Sequence, residues 1–153
     1  MGSWGELAVG SGEWTDGGGR VLWRKAHDMA GFRDMIVYQK AFQLAVDIFR
    51  LSQRFPKEEV FSLTSQVRRS SRSVCANFGE AYRRRRYKAH LVAKLTDSDS
   101  ENTETQVHLD MAVACGYATK EQVEPLLAMS EEVGSMLNAL IEAPEKMMIA
   151  ERR

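Results

Sequence analysis

From Phe32 onward this chain holds almost nothing that would stop a helix. Of its 11 glycines, 8 precede Phe32, and the other three (Gly79, Gly116 and Gly134) stand far apart. The only prolines are Pro56, Pro125 and Pro144. In a helix interior Gly costs about 1 kcal/mol and Pro about 3 kcal/mol relative to Ala. Long helices with few permitted ends are therefore the economical solution. No period-2 run and no hairpin dipeptide between β-branched stretches competes with them, so no strand is expected.

The 3.6-residue period places the helices. Tyr38, Ala41, Phe42, Ala45, Ile48, Phe49 and Phe55 form one apolar stripe, and Val37, Leu44 and Leu51 widen it to a second face. The first helix is expected over about Asp34–Arg54, stopped at Phe55-Pro56. A second, about Ser62–Arg83, has the core line Leu63, Val67, Ser71, Val74, Phe78 and Ala81, with Cys75 and Tyr82 at its margin. At 100° per residue Arg69, Arg72, Ala76 and Arg83 fall on the opposite side. There the small Ala76 and Gly79 would let another backbone, of protein or nucleic acid, come close. Arg83–Arg86 should hold the turn into a third helix, which ends near Cys115 with Gly116 as its C′ residue. Leu91, Val92 and Leu95 open its stripe and Val107, Leu109, Met111 and Val113 close it. The intervening TDSDSENTETQ has no apolar residue, which makes it either a polar layer inside a bundle or an exposed section. Thr119 and Gln122 form a capping-box pair for a fourth helix, with the stripe Val123, Leu126, Leu127, Val133, Leu137, Leu140 and Ile141. Pro125 predicts a kink there, or a start two or three residues later. Four such helices on short connections predict an all-α, antiparallel up-down four-helix bundle over 32–143, followed by a tail, 144–153.

Residues 1–31 differ in kind. GSGEWTDGGGR is Gly-rich and aperiodic, although the segment holds Trp4, Trp14 and Trp23. It is read as a disordered tail or as an extension upstream of a true start at Met29 or Met35. Glu6, Glu13 and Asp16 interrupt any signal-peptide core, and no run reaches the roughly 20 apolar residues of a membrane span. The cytoplasm is the expected location. Cys75 and Cys115 are expected reduced there, as small core residues.

The formal charge is +0, from 21 basic and 21 acidic side chains, yet the signs are segregated. From Arg68 to Lys94 the cations Arg68, Arg69, Arg72, Arg83, Arg84, Arg85, Arg86, Lys88 and Lys94 meet the single acid Glu80. From Leu95 to Thr119 there is no Lys or Arg, while Asp97, Asp99, Glu101, Glu104 and Asp110 follow one another. Segregation of this kind points to surface recognition. Catalytic signatures are missing: no HExxH, CxxC, GxSxG or phosphate loop occurs. His90 and His108 share a helical face but lie roughly 27 Å apart, too far for one metal. Glu101 and Glu104 lack the ExxH partner of a di-metal bundle. No enzyme activity, cofactor or metal is therefore expected. Glu101 or Glu104 is expected instead to pair with Arg68 or Arg72 across helices, and Asn77 with Glu80 to form a buried hydrogen-bonded network between helices or subunits.

Four ordered motifs carry a resemblance. FRDMIVYQKA (Phe32–Ala41), FPKEE (Phe55–Glu59), LTSQVRR (Leu63–Arg69) and SVCANFGEA (Ser73–Ala81) resemble F-[RK]-D-L-x-V-W-Q-K-A, F-P-x-E-E, L-T-S-Q-[IV]-R-R and S-[IV]-x-x-N-[IV]-A-E-G. These belong to the bacterial four-helix-bundle family related to the 23S rRNA intervening-sequence-encoded protein. ETQVHLDMAVACGY (Glu104–Tyr117) is similar to that family's helix 3 to helix 4 junction. The match spans most of residues 32–141. Tyr38 replaces the usual Trp, Cys75-Ala76 a frequent Pro-Ser, and Phe78-Gly79 an Ile-Ala pair. The resemblance implies a non-enzymatic bundle assembled as a homo-oligomeric ring, a pentamer. It also implies a distant relation to the accessory variability protein of diversity-generating retroelements, which acts through a basic surface on nucleic acid and a reverse transcriptase.

Two functions fit. In the first, Arg69, Arg72, Arg83, Arg84, Arg85, Arg86, Lys88 and Lys94 contact RNA or DNA phosphates, or a nucleic-acid-bound partner, and a ring repeats the contact. Against it stand an isoelectric point of about 6.8 and an arginine run whose neighbouring aromatics are only Tyr82 and Tyr87. In the second, the chain is a protein scaffold whose basic strip pairs with Asp97–Asp110, in the same subunit or its neighbour, with no nucleic-acid role. The family resemblance favours the first.

Overall fold

Four long helices follow one another: α1 Ile36–Ser52, α2 Leu63–Arg83, α3 Lys88–Ala114 and α4 Lys120–Glu142. They come from a computed structural model that describes residues 13–15, 21–24 and 31–149. Each helix buries a line spaced by threes and fours, alternating throughout α3 and α4. In α1 it is Val37, Ala41, Leu44, Ile48 and Ser52. In α3 it is Leu91, Leu95, Ser98, Asn102, Thr105, Leu109 and Ala112, and in α4 Val123, Leu126, Ser130, Val133, Leu137 and Leu140. That alternation keeps one seam facing a partner helix, as in coiled coils.

Two apolar clusters result. Val37, Ala41, Val74, Phe78, Leu91, Leu95, Leu137 and Leu140 belong to one. Leu44, Ile48, Val67, Leu109, Val123 and Leu126 belong to the other. Burying each large aliphatic side chain stabilises by about 1.5–3 kcal/mol. Between the clusters, along α2, α3 and α4, lie buried polar side chains: Ser70, Ser71, Ser98, Asn102, Thr105 and Ser130. The apolar-free stretch of α3 is thus a polar layer inside the bundle. Its buried side chains, Ser98, Asn102 and Thr105, are satisfied across helices. Ser98 Oγ donates to the Val74 carbonyl at 2.8 Å, and Thr105 Oγ1 to Ser70 Oγ at 2.9 Å. Asn102 Nδ2 donates to the Ser130 carbonyl at 2.9 Å while its Oδ1 accepts from Ser130 Oγ at 2.8 Å.

The α1 stripe is rotated from its expected position. The heptad face Val37, Leu44 joins Ala41 and Ile48 in the core, whereas Phe42 and Phe49 remain 53% and 37% exposed. Likewise Val107 and Met111 of α3, expected to close its stripe, face outward at 51% and 50% exposure. The buried polar line at Ser98, Asn102 and Thr105 sets the α3 orientation, and 100° per residue then turns Val107 and Met111 away.

Helix ends follow local chemistry. Gly116 (φ 76°) ends α3, with Gly116 N–H donating to the Val113 carbonyl at 3.0 Å and Tyr117 N–H to Ala112 at 2.9 Å. These are the two bonds of a Schellman cap, and the positive φ requires glycine. Both halves of the Thr119–Gln122 capping box are present. The cap starts α4 at Lys120 with Pro125 inside it, so a later start is overturned. Residues 144–149, read from sequence as a tail, fold back: Pro144–Lys146 makes a turn of 3-10 helix and Met147 is 1% exposed in the core.

Ahead of the bundle, strands β1 (Glu13–Thr15) and β2 (Val21–Arg24) pair antiparallel, with Trp14 opposite Trp23 and a bulge after Trp14. No strand was expected there. The signal is short, a Thr in one run and Val-Leu-Trp in the other, on either side of Gly17–Gly19. The readings of residues 1–31 as disordered or as preceding the true start concern mostly residues outside the described ones, Met29 included. Met35 is buried in the core.

Candidate nucleic-acid interface

The outward line of α2 is Ser65, Arg69, Arg72, Ala76, Gly79 and Arg83, again spaced by fours and threes. Arg69, Arg72 and Arg83 are exposed, as are Arg84 and Arg86 in the turn that follows and Lys88 at the start of α3. Arg69, Arg72, Arg83, Arg84 and Arg86 have no carboxylate within salt-bridge distance among the described residues. Lys88 Nζ lies 3.8 Å from Glu145, with both side chains well exposed, a contact of little energy. Arg85 is used locally: its guanidinium sits 3.7 Å from the Tyr82 ring centroid and donates to the Tyr82 carbonyl at 2.7 Å.

Lys94, read from sequence as a phosphate contact, is already engaged. Its ammonium reaches Glu80 at 2.8 Å, Asp97 at 3.5 Å and Asn77 Oδ1 at 3.5 Å. The hydrogen bond from Lys94, with its charge, holds the Glu80 carboxyl below the ordinary glutamate range, and the same bond raises Lys94. Within the chain, Asn77 and Glu80 link helices through Lys94, at a half-exposed rim.

The expected pairs of Glu101 or Glu104 with Arg68 or Arg72 do not form. Arg68 points at α1, donating from Nε to Ser52 Oγ at 2.8 Å with its guanidinium 4.8 Å from the Phe49 ring centroid. Glu104 lies 3.2 Å from His108 Nε2 one turn along its own helix. On α2, Arg68 faces the α1 side, which a linear sequence does not display.

Beside the arginine line lies a groove of about 800 Å³ between α1 and α2. Phe32, Tyr38, Phe42 and Phe49 supply its aromatic wall; Cys75, Ala76 and Gly79 its floor; Arg72, Arg83 and Arg84 its rim. Burial pushes the Cys75 thiol up to about 11. A shallower depression lined by Phe61, Arg68 and Arg69 shares Arg72 and Ala76 with the groove, and Phe61 is 97% exposed. These aromatics were missed as site residues from sequence, where only Tyr82 and Tyr87 flanked the arginines. The available signal was that α1 carries two apolar faces, of which the core buries the Val37–Leu44 face and leaves Phe42 and Phe49 outside. Cys115, expected in the core, is exposed. No helix among the described residues is long and apolar enough to cross a membrane.

The chain's likeness to known proteins fits this architecture. The sequence model described as 23S rRNA-intervening sequence protein matches residues 33–139. A solved structure from Bacteroides thetaiotaomicron, described as a protein with unknown function from the S23 ribosomal protein family, is 29% identical, with a TM-score of 0.64 over 71% of this chain and 96% of that one. No curated protein matches.

Proposed function

The chain belongs to the 23S rRNA-intervening sequence protein family, and from that premise we propose that it is a non-enzymatic, cytoplasmic bundle protein that binds RNA or DNA backbone, or a nucleic-acid-bound partner. The observation that carries this is the line of exposed arginines on α2 and the following turn, free of carboxylate partners within salt-bridge distance among the described residues. Cations left unpaired in a chain of zero net charge are available to phosphates. In this proposal the helices run up and down and the subunits form a homo-oligomeric ring, a pentamer. The contact order supports the first point, since Asn77, Val74 and Ser70 of α2 meet Lys94, Ser98 and Thr105 of α3. A ring would repeat the arginine line and make binding multivalent.

The test is an anisotropy titration of structured RNA and duplex DNA at low and physiological salt. Affinity should fall steeply with salt, with a log–log slope near −0.9 per phosphate neutralised on duplex DNA. Arg83–Arg86→Ala should abolish binding and leave oligomer size intact. No binding even at low salt refutes the proposal.

A second reading has one observation in its favour. Val107 and Met111 are exposed on α3 beside the acids Glu104 and Asp110, a face that would complement an arginine-rimmed apolar groove on another copy. As a scaffold of that kind, the chain would lose oligomer size on Arg83–Arg86→Ala and ignore nucleic acid.

A further inference from the structure

We infer that the α1–α2 groove, with the Phe61 depression that adjoins it, is a stacking site for the unpaired bases of a single strand, flanked by arginines that take its phosphates. This rests on the nucleic-acid reading above and sharpens it to single strands. The outward line of α2 sets cations at its two ends, Arg69 and Arg72 at one and Arg83 and Arg84 at the other. Between them stand Ala76 and Gly79, which leave the helix surface low. Arg69 and Arg83 are 14 residues apart, about 21 Å of helix. That length suits a run of several nucleotides, at the low end of sites known for single-strand binders.

The aromatic wall stands against this low stretch. Phe42 is 53% exposed, and Phe61, which lines the adjoining depression with Arg69, is 97% exposed. Phe49 already carries the Arg68 and Arg72 guanidinium groups over its ring at 4.8 and 5.9 Å. A base stacking on Phe49 would take the place of these guanidinium groups, whereas Phe42 and Phe61 offer exposed rings. Glu80 also lines the groove, but its charge is turned to Lys94. In a duplex the base faces are stacked on each other and only edges show in the grooves. A duplex would touch the arginines and leave the phenylalanines idle. The alternative occupant, an apolar helix of another copy, is resolved by the same experiment.

The experiment uses the full chain and three labelled RNAs with equal numbers of phosphates: a single strand, a hairpin duplex and an abasic strand. Anisotropy at low salt should rank the single strand above the other two. Phe61→Ala, and Phe42→Ala with Phe49→Ala, should each weaken the single strand by about 5- to 150-fold, with duplex affinity unchanged. The near-complete exposure of Phe61 keeps that variant free of folding effects. Equal binding of all three RNAs, undiminished in the variants, overturns the stacking inference and leaves backbone binding standing. A single-strand preference that survives the substitutions also overturns it for this groove. Absence of binding to any RNA at low salt overturns both. A fall in oligomer mass on Phe42→Ala/Phe49→Ala, with strand affinity unchanged, gives the groove to a second copy and overturns the inference.

Discussion

Asn102 and Ser130 are the test of what the polar layer contributes. Both are buried, at 2% and 0% exposure, and two hydrogen bonds of 2.9 and 2.8 Å join them. Gln106 Nε2 adds a third contact, to Ser130 Oγ at 2.9 Å. Asn102→Ala removes both bonds, each worth about 1 kcal/mol net. It also opens a small void and leaves the Ser130 hydroxyl without its acceptor, so a loss of about 2–4 kcal/mol is expected. Ser130→Ala removes one of the two bonds and releases Gln106, which is half-exposed and can turn to water. Its expected cost is about 1–2 kcal/mol. In the double variant the shared bond is lost only once. The two costs should therefore fall short of additivity by about 0.5–1.5 kcal/mol. Urea unfolding of the four proteins, with slopes compared to confirm a common unfolded state, measures the cycle. Additivity within about 0.3 kcal/mol would refute the reasoning, because the pair would then be contributing no mutual interaction.

Three further outcomes follow from the same structure. At Gly134 a Cβ would stand 3.2 Å from Asn102 Nδ2 and 3.7 Å from Asp99 Oδ1. Gly134→Ala should destabilise the wild-type chain, whose Asn102 is pinned. In an Asn102→Ala background it should stabilise by about 1 kcal/mol through helix propensity; urea midpoints in both backgrounds decide this. The Glu59 carboxyl is held below the ordinary glutamate range by hydrogen bonds from Ser62, the Leu63 amide and Tyr117. A lowered folded value contributes stability that is complete above the unfolded glutamate pKa and is lost as pH falls through the folded one. Acid unfolding curves should show this loss, and Glu59→Gln should flatten it. Cys75, half-buried with its thiol raised to about 11, should resist iodoacetamide at pH 8 while exposed Cys115 is alkylated, as peptide mass mapping would reveal.

The resemblance visible in the motifs from Phe32 to Tyr117 agrees with the family match over residues 33–139. The Thr119 cap and the Gly116 stop were legible because each depends on neighbours within a few residues. The site was only half legible. Outward-facing Arg69, Arg72 and Arg83 follow from 100° per residue on one helix. Which cations stay free does not, since Lys94 is claimed by Glu80 and Asp97, and Arg85 by Tyr82. Nor does any local pattern reveal that Arg68 turns to Ser52 and Phe49.

Sequence alone determined that this chain makes helices, where they stop, and that its charges are segregated. These are properties of backbone propensity and of spacing along one chain. Tertiary structure decided which face of each helix is inside. On α1 two apolar faces competed, and the pairing of α1 with its neighbours buried Val37, Leu44 and Ile48 while leaving Phe42 and Phe49 beside the arginines of α2. On α3 the hydrogen bonds of Ser98, Asn102 and Thr105 to α2 and α4 made a polar stretch the interior and turned Val107 and Met111 outward. The physical reason is the same in both helices: burial is settled by the partner a face meets, and a polar side chain is accepted inside wherever that partner supplies its hydrogen bonds.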